Sequence, residues 1–128
     1  MSHFSTVKTE LRDLSALRAA LQDMGHTPEE GTTQVRGYRG QTVEAQLALR
    51  QDNGCDIGFR WNGNHYELVT DLQLWNQQQP LERFLSRLNQ RYALHTILSA
   101  TQQEGFQVSE QKSSLDGTIE LVVTRWSH

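Results

Sequence analysis

The sequence predicts an α+β fold, an antiparallel sheet covered on one face by two helices. Three observations predict it. Asn62-Gly63 separates two alternating apolar runs, the mark of a β-hairpin. Two segments, beginning near Leu14 and Leu81, repeat apolar residues at helical spacing. A second turn signal, Asp116-Gly117, divides the β-prone runs FQVSEQK and TIELVVTRW.

Taken in order, SHFSTVKT at residues 2–9 reads as a short strand. In the next segment Leu14, Leu17, Leu21 and Met24 form an apolar stripe that Ala20 widens, predicting a helix from about Leu14 to Met24. Asp13 fits the N-cap, where its carboxylate accepts a free first-turn N–H. Gly25 fits the position just past the end, where φ turns positive. HTPEEGTT reads as a loop by composition.

The middle of the chain predicts a meander of three strands at about 41–51, 55–61 and 64–70. A two-residue Asn62-Gly63 turn would set Phe59 opposite Tyr66 and Ile57 opposite Leu68. Leu49 would then face Phe59, and Leu47 would face Trp61. Pro80 opens a second helix at its first position. Leu81, Phe84, Leu85, Leu88 and Tyr92 form its stripe, His95 and Leu98 continue it, and it ends near Glu104-Gly105. A three-residue loop in the last hairpin would place Val108 opposite Trp126 and Leu115 opposite Ile119. SHFSTV resembles NHYELV at 64–69, and each precedes a helix that ends in glycine, so the order reads as a doubled βαββ unit.

The 128 residues fit one domain, 1–128, large enough to bury a core without staples. The net charge of −3 and pI near 5.9 lack the basic excess of a dedicated nucleic-acid binder. Cys55 is the only cysteine, so no internal disulfide forms. No apolar stretch reaches signal-peptide or membrane-span length, which predicts a soluble intracellular protein without direct membrane insertion.

Four pieces occur together and in order: MSHFSTVKT at the start, RGYRGQT at 36–42, DIGFRWN at 56–62 and YELVTDLQLW at 66–75. With them the chain resembles, over nearly its whole length, the cyanobacterial and algal-plastid family known as hypothetical chloroplast reading frame thirty-five, a domain of unknown function. The resemblance implies a cyanobacterial cytoplasm or a plastid stroma. It implies no reaction, cofactor or catalytic residue.

Candidate chemistry is sparse. In VRGYRGQT, Arg36 and Arg39 could grip phosphates while Tyr38 stacks on a base. The segment feeds a strand, though, and a phosphate loop normally feeds a helix N-terminus. A bend in the sheet is therefore the better reading, with Gly37 and Gly40 permitting close approach and the arginines solvated or paired with Glu44. Phe59, Trp61 and Tyr66 read as core and not as a base-stacking platform. His3 and His65 occupy equivalent places in the suspected repeat and could meet if their strands are neighbours. No histidine pair shows metal-ligand spacing, so no metal or cofactor site is predicted. His95 reads as a hydrogen-bonded core residue. Glu29 and Glu30 read as solvated, Glu67 points to the opposite sheet face, and Asp71 caps a short turn ahead of LQLW. Cys55 reads as a turn residue.

DLQLWNQQQP stands apart, because Leu72, Leu74 and Trp75 are large apolar residues at a junction, followed by a glutamine run. They either plug the core or, in the case of Trp75, anchor a partner.

The expectation that follows is a small accessory protein that binds another protein through Arg36, Tyr38, Arg39 and Trp75. The alternatives are a nucleic-acid-binding module on the Arg36–Arg39 loop, or a small-molecule enzyme with a site near His65, Asp71 and His95. Edge strands of such a sheet also permit a homodimer.

Overall fold

The computed structural model describes residues 3–103, 106–113 and 119–125. The elements run β1 (Ser5–Val7), α1 (Leu14–Asp23), β2 (Glu29–Arg36), β3 (Thr42–Leu49), β4 (Ile57–Trp61), β5 (Tyr66–Thr70), α2 (Leu81–Gln103), β6 (Phe106–Ser113) and β7 (Ile119–Arg125). Short 3₁₀ turns lie at Tyr38–Gly40 and Leu72–Leu74. Five strands form one antiparallel sheet in the order β1-β5-β4-β3-β2, and β6 and β7 form a separate pair. This is the α+β architecture that the pattern predicts. The order strand-helix-strand-strand occurs twice, with β4 between the two copies, but only the first copy lies wholly within the large sheet.

α1 forms where its caps place it. The Asp13 carboxylate accepts from Ala16 N at 3.2 Å, and Gly25 follows the helix with φ +89°. The phenol oxygen of Tyr92, on α2, accepts from Arg12 N and Asp13 N at 3.0 and 2.9 Å, so the second helix fixes the start of the first. Leu17, Ala20 and Leu21 turn fully inward.

The meander is present, but its register differs from expectation by two residues. Trp61 pairs with Tyr66 and Phe59 with Leu68, while Leu47 pairs with Phe59 and Leu49 with Ile57. The tip at 62–65 is a four-residue loop, because the Asn62 carboxamide oxygen accepts from both Asn64 N and His65 N, at 2.9 and 2.8 Å. A shift of two keeps every side chain on its face, so the predicted core survives the wrong pairing. HTPEEGTT, expected as a loop, contributes to a strand from Glu29 onward. β2 is an exposed edge without alternation, and its ladder with β3 breaks register between Glu30 and Thr33 around Gly31, φ +94°. The C-terminal hairpin also pairs differently: Val108 lies opposite Val123, and Ser113 opposite Ile119. Glu104, Gly105, Leu115, Asp116, Gly117 and Trp126, which figured in the predicted ends and turn, lie outside the described residues.

Pro80 immediately precedes α2, and its carbonyl accepts from Phe84 N at 3.0 Å. Both helices lie on one sheet face. Leu17, Leu21, Phe84 and Leu88 pack there with Leu47, Leu49, Ile57, Phe59 and Leu68 as the main core. Of the aromatic set expected in the core, Phe59 and Tyr66 are buried. Trp61 is 40% exposed at the strand end, its ring tilted against Tyr66 with centroids 4.9 Å apart.

The other side of the sheet is closed by the sheet itself. Val35, Ala45 and Ala48 form a second cluster with Phe4 against it. A Cβ placed on Gly58 would lie 2.4 Å from Val35 Cγ2, so the β2–β3 hairpin rests directly on the β4 backbone. Gly37 receives the Phe4 ring in the same way, with a Cβ there 2.5 Å from Cζ. The predicted close approach in RGYRG is therefore real at Gly37, where an aromatic side chain fills it, but not at Gly40, where a Cβ would meet nothing within 4 Å and the glycine instead serves a φ of +78°. Gly58→Ala should lower stability by about 1–3 kcal/mol through overpacking. Adding Val35→Ala should recover part of the loss relative to the sum of the two single substitutions. Urea unfolding of the four proteins in a double-mutant cycle measures this, and strict additivity would contradict the contact.

Candidate functional site

The electrostatic centre is Asp56, whose side chain has no solvent exposure. It lies between the β3–β4 loop and the first residue of β4. Its Oδ2 accepts from Arg36 N and Nε at 2.9 and 2.8 Å and from Arg50 Nη1 at 2.7 Å, and its Oδ1 accepts from Arg36 Nη2 at 2.8 Å. Asp56 N donates to Arg36 O at 2.8 Å. Burial works to raise the Asp56 pKa, but the bonds from Arg36, Arg50 and Gln51 outweigh it and hold it at about 2. Arg50 reaches on to Glu29, at 2.6 Å from Oε2.

The next residue after Arg50 positions the glutamine-rich segment. Gln51 is buried, and its carboxamide donates to Cys55 O at 2.5 Å while accepting from Asn76 N and Gln77 Nε2 at 2.9 Å each. Asn53 Nδ2 donates to Leu74 O at 2.8 Å. Trp75 holds the segment from the other side, with its indole N–H donating to Gln79 O at 2.8 Å and its ring edge-on to Phe84 at 5.2 Å. Residues 76–79 are thus held at both ends.

An open cleft of about 320 Å³ lies beside them, lined by Met24, His26, Asn76 to Gln79, Phe84 and Arg87. The end of α1 supplies Met24 and His26, and the start of α2 supplies Phe84 and Arg87. His26 stands edge-on to Phe84 with centroids 5.9 Å apart, and burial pushes its pKa down, so the ring is neutral at pH 7. Four carboxamides thus line a wall that carries one cation and no carboxylate. A carboxamide both donates and accepts, which matches the needs of a peptide group.

The residues singled out from sequence fall in several places. Arg36 is bound to Asp56 and not to Glu44. Tyr38 and Arg39 form the β2–β3 tip, where Arg39 has φ +53° and its guanidinium lies 5.2 Å from the Tyr38 ring centroid. Trp75 is half-buried against the main core. β1 and β5 are neighbours, as the meeting of His3 and His65 required, but they run antiparallel with Ser5 opposite Thr70, so the two histidines lie at opposite ends. His65 and Asp71 flank β5, about 20 Å apart at strand rise. His95 is at a third place, bonded to Asp23 on α1, which also takes Arg91. His65, Asp71 and His95 are therefore not brought together. Asp71 does cap the Leu72–Leu74 turn, its Oδ1 accepting from Gln73 N at 3.1 Å. Cys55 is buried, and burial pushes its thiol pKa up. Among the described residues no three His, Cys, Asp or Glu side chains are grouped to hold a metal ion, and no helix is long and apolar enough to cross a membrane.

Sequence reasoning missed Asp56, Gln51, His26 and Arg87. The last left a readable trace, since Arg83, Arg87, Arg91 and His95 recur at intervals of four on α2.

Residues 20–122 match a family model described as a protein of unknown function, DUF1257. The uncharacterised protein ycf35 of Pyropia yezoensis is 40% identical over all of both chains. Those of Guillardia theta and Cyanophora paradoxa are 41% identical over 98% of each chain and 36% identical over all of both. No solved structure matches the chain.

Two outcomes follow from the geometry. The folded-state pKa of Asp56 is depressed, so its contribution is present above the unfolded value near 4 and is lost as pH falls through about 2. Discounted for the partly exposed arginines, that contribution is roughly 1–2 kcal/mol. Urea unfolding between pH 5 and pH 2 should show a loss of this size that Asp56→Asn removes, and parallel curves would contradict it. Gln51→Ala should free the 76–79 segment, and amide exchange at Asn76 should accelerate about tenfold or more as its acceptor disappears. An unchanged rate would show that Gln51 does not hold the segment.

Proposed function

The chain belongs to this family of uncharacterised ycf35 proteins, and from that premise we propose that it is a small accessory protein that binds another protein through the cleft beside residues 76–79. The observation that carries this reading is the double anchoring of that segment by Gln51 and Trp75. A segment fixed before binding loses little conformational entropy when a partner arrives, and so retains more of its contact energy. The carboxamide wall supplies paired donors and acceptors for a peptide backbone.

Of the four residues expected to bind, Trp75 acts by holding the wall in place, and Arg36 by fixing the hairpin that carries Tyr38 and Arg39. That exposed tip is a second contact for the same partner. The engagement of Arg36 by Asp56 favours a protein partner over a nucleic acid, because it removes one of the two arginines the loop would offer to phosphates. The algal relatives suit a place of action in a plastid stroma or a cyanobacterial cytoplasm.

Photo-cross-linking in a photosynthetic host tests the reading, with p-benzoylphenylalanine replacing Gln78 in the cleft or, as a control, Thr32 on the exposed edge of β2. A discrete protein adduct that survives nuclease should form at position 78 and not at position 32. The same adducts at both positions, or none at 78, would overturn the assignment of the cleft.

A further inference from the structure

One face of α2 carries Arg83, Arg87, Arg91 and His95, each a turn from the next. The chain is acidic overall, and several of its arginines are paired with carboxylates. Away from the stripe, Arg18, Arg36, Arg50 and Arg60 each lie within 4.0 Å of a carboxylate. On the α2 stripe, Asp23 takes both Arg91 Nη2, at 2.8 Å, and His95 Nε2, at 2.5 Å. Burial opposes ionisation of Asp23, but the bonds from His95 and Arg91 prevail and lower its pKa. This end of the stripe is neutralised within the fold.

The other end is not. Arg83 and Arg87 are exposed and make no hydrogen bond or ion pair among the described residues. Glu82 precedes Arg83 directly, and adjacent helical residues do not face each other. Arg87 lines the cleft, whose remaining lining is uncharged. Arg83 lies one turn nearer the start of α2, where the helix dipole is positive. One free guanidinium fork thus lies in a neutral wall of peptide-like groups, and a second lies one turn away on the same helix.

Resting on the reading of this cleft as a protein-binding site, we infer that its partner is an acidic segment of a polypeptide. Asp or Glu side chains of that segment pair with Arg83 and Arg87 while its backbone lies along the carboxamides of 76–79. The guanidinium fork matches a carboxylate in two parallel hydrogen bonds, which gives register as well as attraction. A nucleic acid fits the site less well. Two free cations on an acidic chain neutralise few phosphates. The Phe84 ring in the cleft is not open to stack a base either, since it is 2% exposed and already meets Trp75 and His26.

The test is an NMR titration of the full ¹⁵N-labelled chain with three probes. They are an acetylated, amidated peptide rich in Asp and Glu, the same peptide with Asn and Gln in their place, and a single-stranded oligouridylate. The acidic peptide should move the signals of His26, the 77–79 side-chain amides and Arg87 Nε. It should bind about tenfold more tightly than its neutral counterpart, with an advantage that shrinks as salt rises. Arg83→Gln with Arg87→Gln should remove that advantage without changing the melting temperature, since neither residue has a partner to lose. Equal binding of the two peptides at the cleft would overturn the acidic specificity and leave the cleft standing as a protein site. Tighter binding of the oligouridylate at these signals would overturn it in favour of phosphate. Binding of no probe would also overturn it, and the cross-link at position 78 would then decide separately whether the cleft binds protein.

Discussion

The fold depends on one buried carboxylate. Asp56 joins three stretches of chain that a flat sheet would keep apart: the end of β2, the loop after β3 and the start of β4. An isolated carboxylate at zero exposure would be strongly destabilising, and this one persists because five donors surround it. Its bonds to Arg36 come from both the backbone and the side chain of that residue, so they fix the β2–β3 hairpin in place as well as neutralising a charge. The curl of that hairpin over Gly58 follows. The second core cluster exists because the hairpin is held down at this point, and the glycine lets it come close enough for the apolar contacts to form.

The same loop serves the cleft. Arg50 bonds to Asp56, and Gln51, the next residue, reaches the other way to the segment after β5. Electrostatic order at the sheet edge and placement of the carboxamide wall are thus built on consecutive residues. The wall owes its position to backbone carbonyls, one buried amide and an indole, none of which belongs to an α-helix or strand. Such a segment holds a defined shape because its polar groups are satisfied, and its exposed amides remain available.

What could be read from the sequence was set by periodicity. Leu17 and Leu21 on α1, Phe84 and Leu88 on α2, and Leu47, Ile57, Phe59 and Leu68 on the strands announce their burial by spacing alone. The strand registers were misread because the Asn62 side chain lengthens the hairpin loop by capping two backbone N–H groups, a choice that composition does not reveal. β2 was missed because an exposed edge strand has no apolar alternation to display. Asp56 was missed because nothing local distinguishes a buried aspartate in DNGCD from a solvated one. Its partners lie twenty and six residues away, and only the curl of the sheet brings both to it. The cleft was half legible. DLQLWNQQQP stood out as unusual, but Trp75 drew attention as the anchor when the glutamines beside it form the exposed surface.

The pairing of β1 bears on how the protein is made. In the sheet β1 has no neighbour until β5 is made, since Ser5 pairs with Thr70 and Val7 with Leu68. The turn after it waits longer, because the backbone of Arg12 and Asp13 is held by Tyr92. The β2–β3 hairpin and the meander, by contrast, pair residues close in the chain. The edge of the sheet then closes by contacts between residues far apart in the chain, the class of contact that slows folding most. The sheet therefore closes at β1 only after β5 has been made, and the start of α1 is fastened only after Tyr92 has followed.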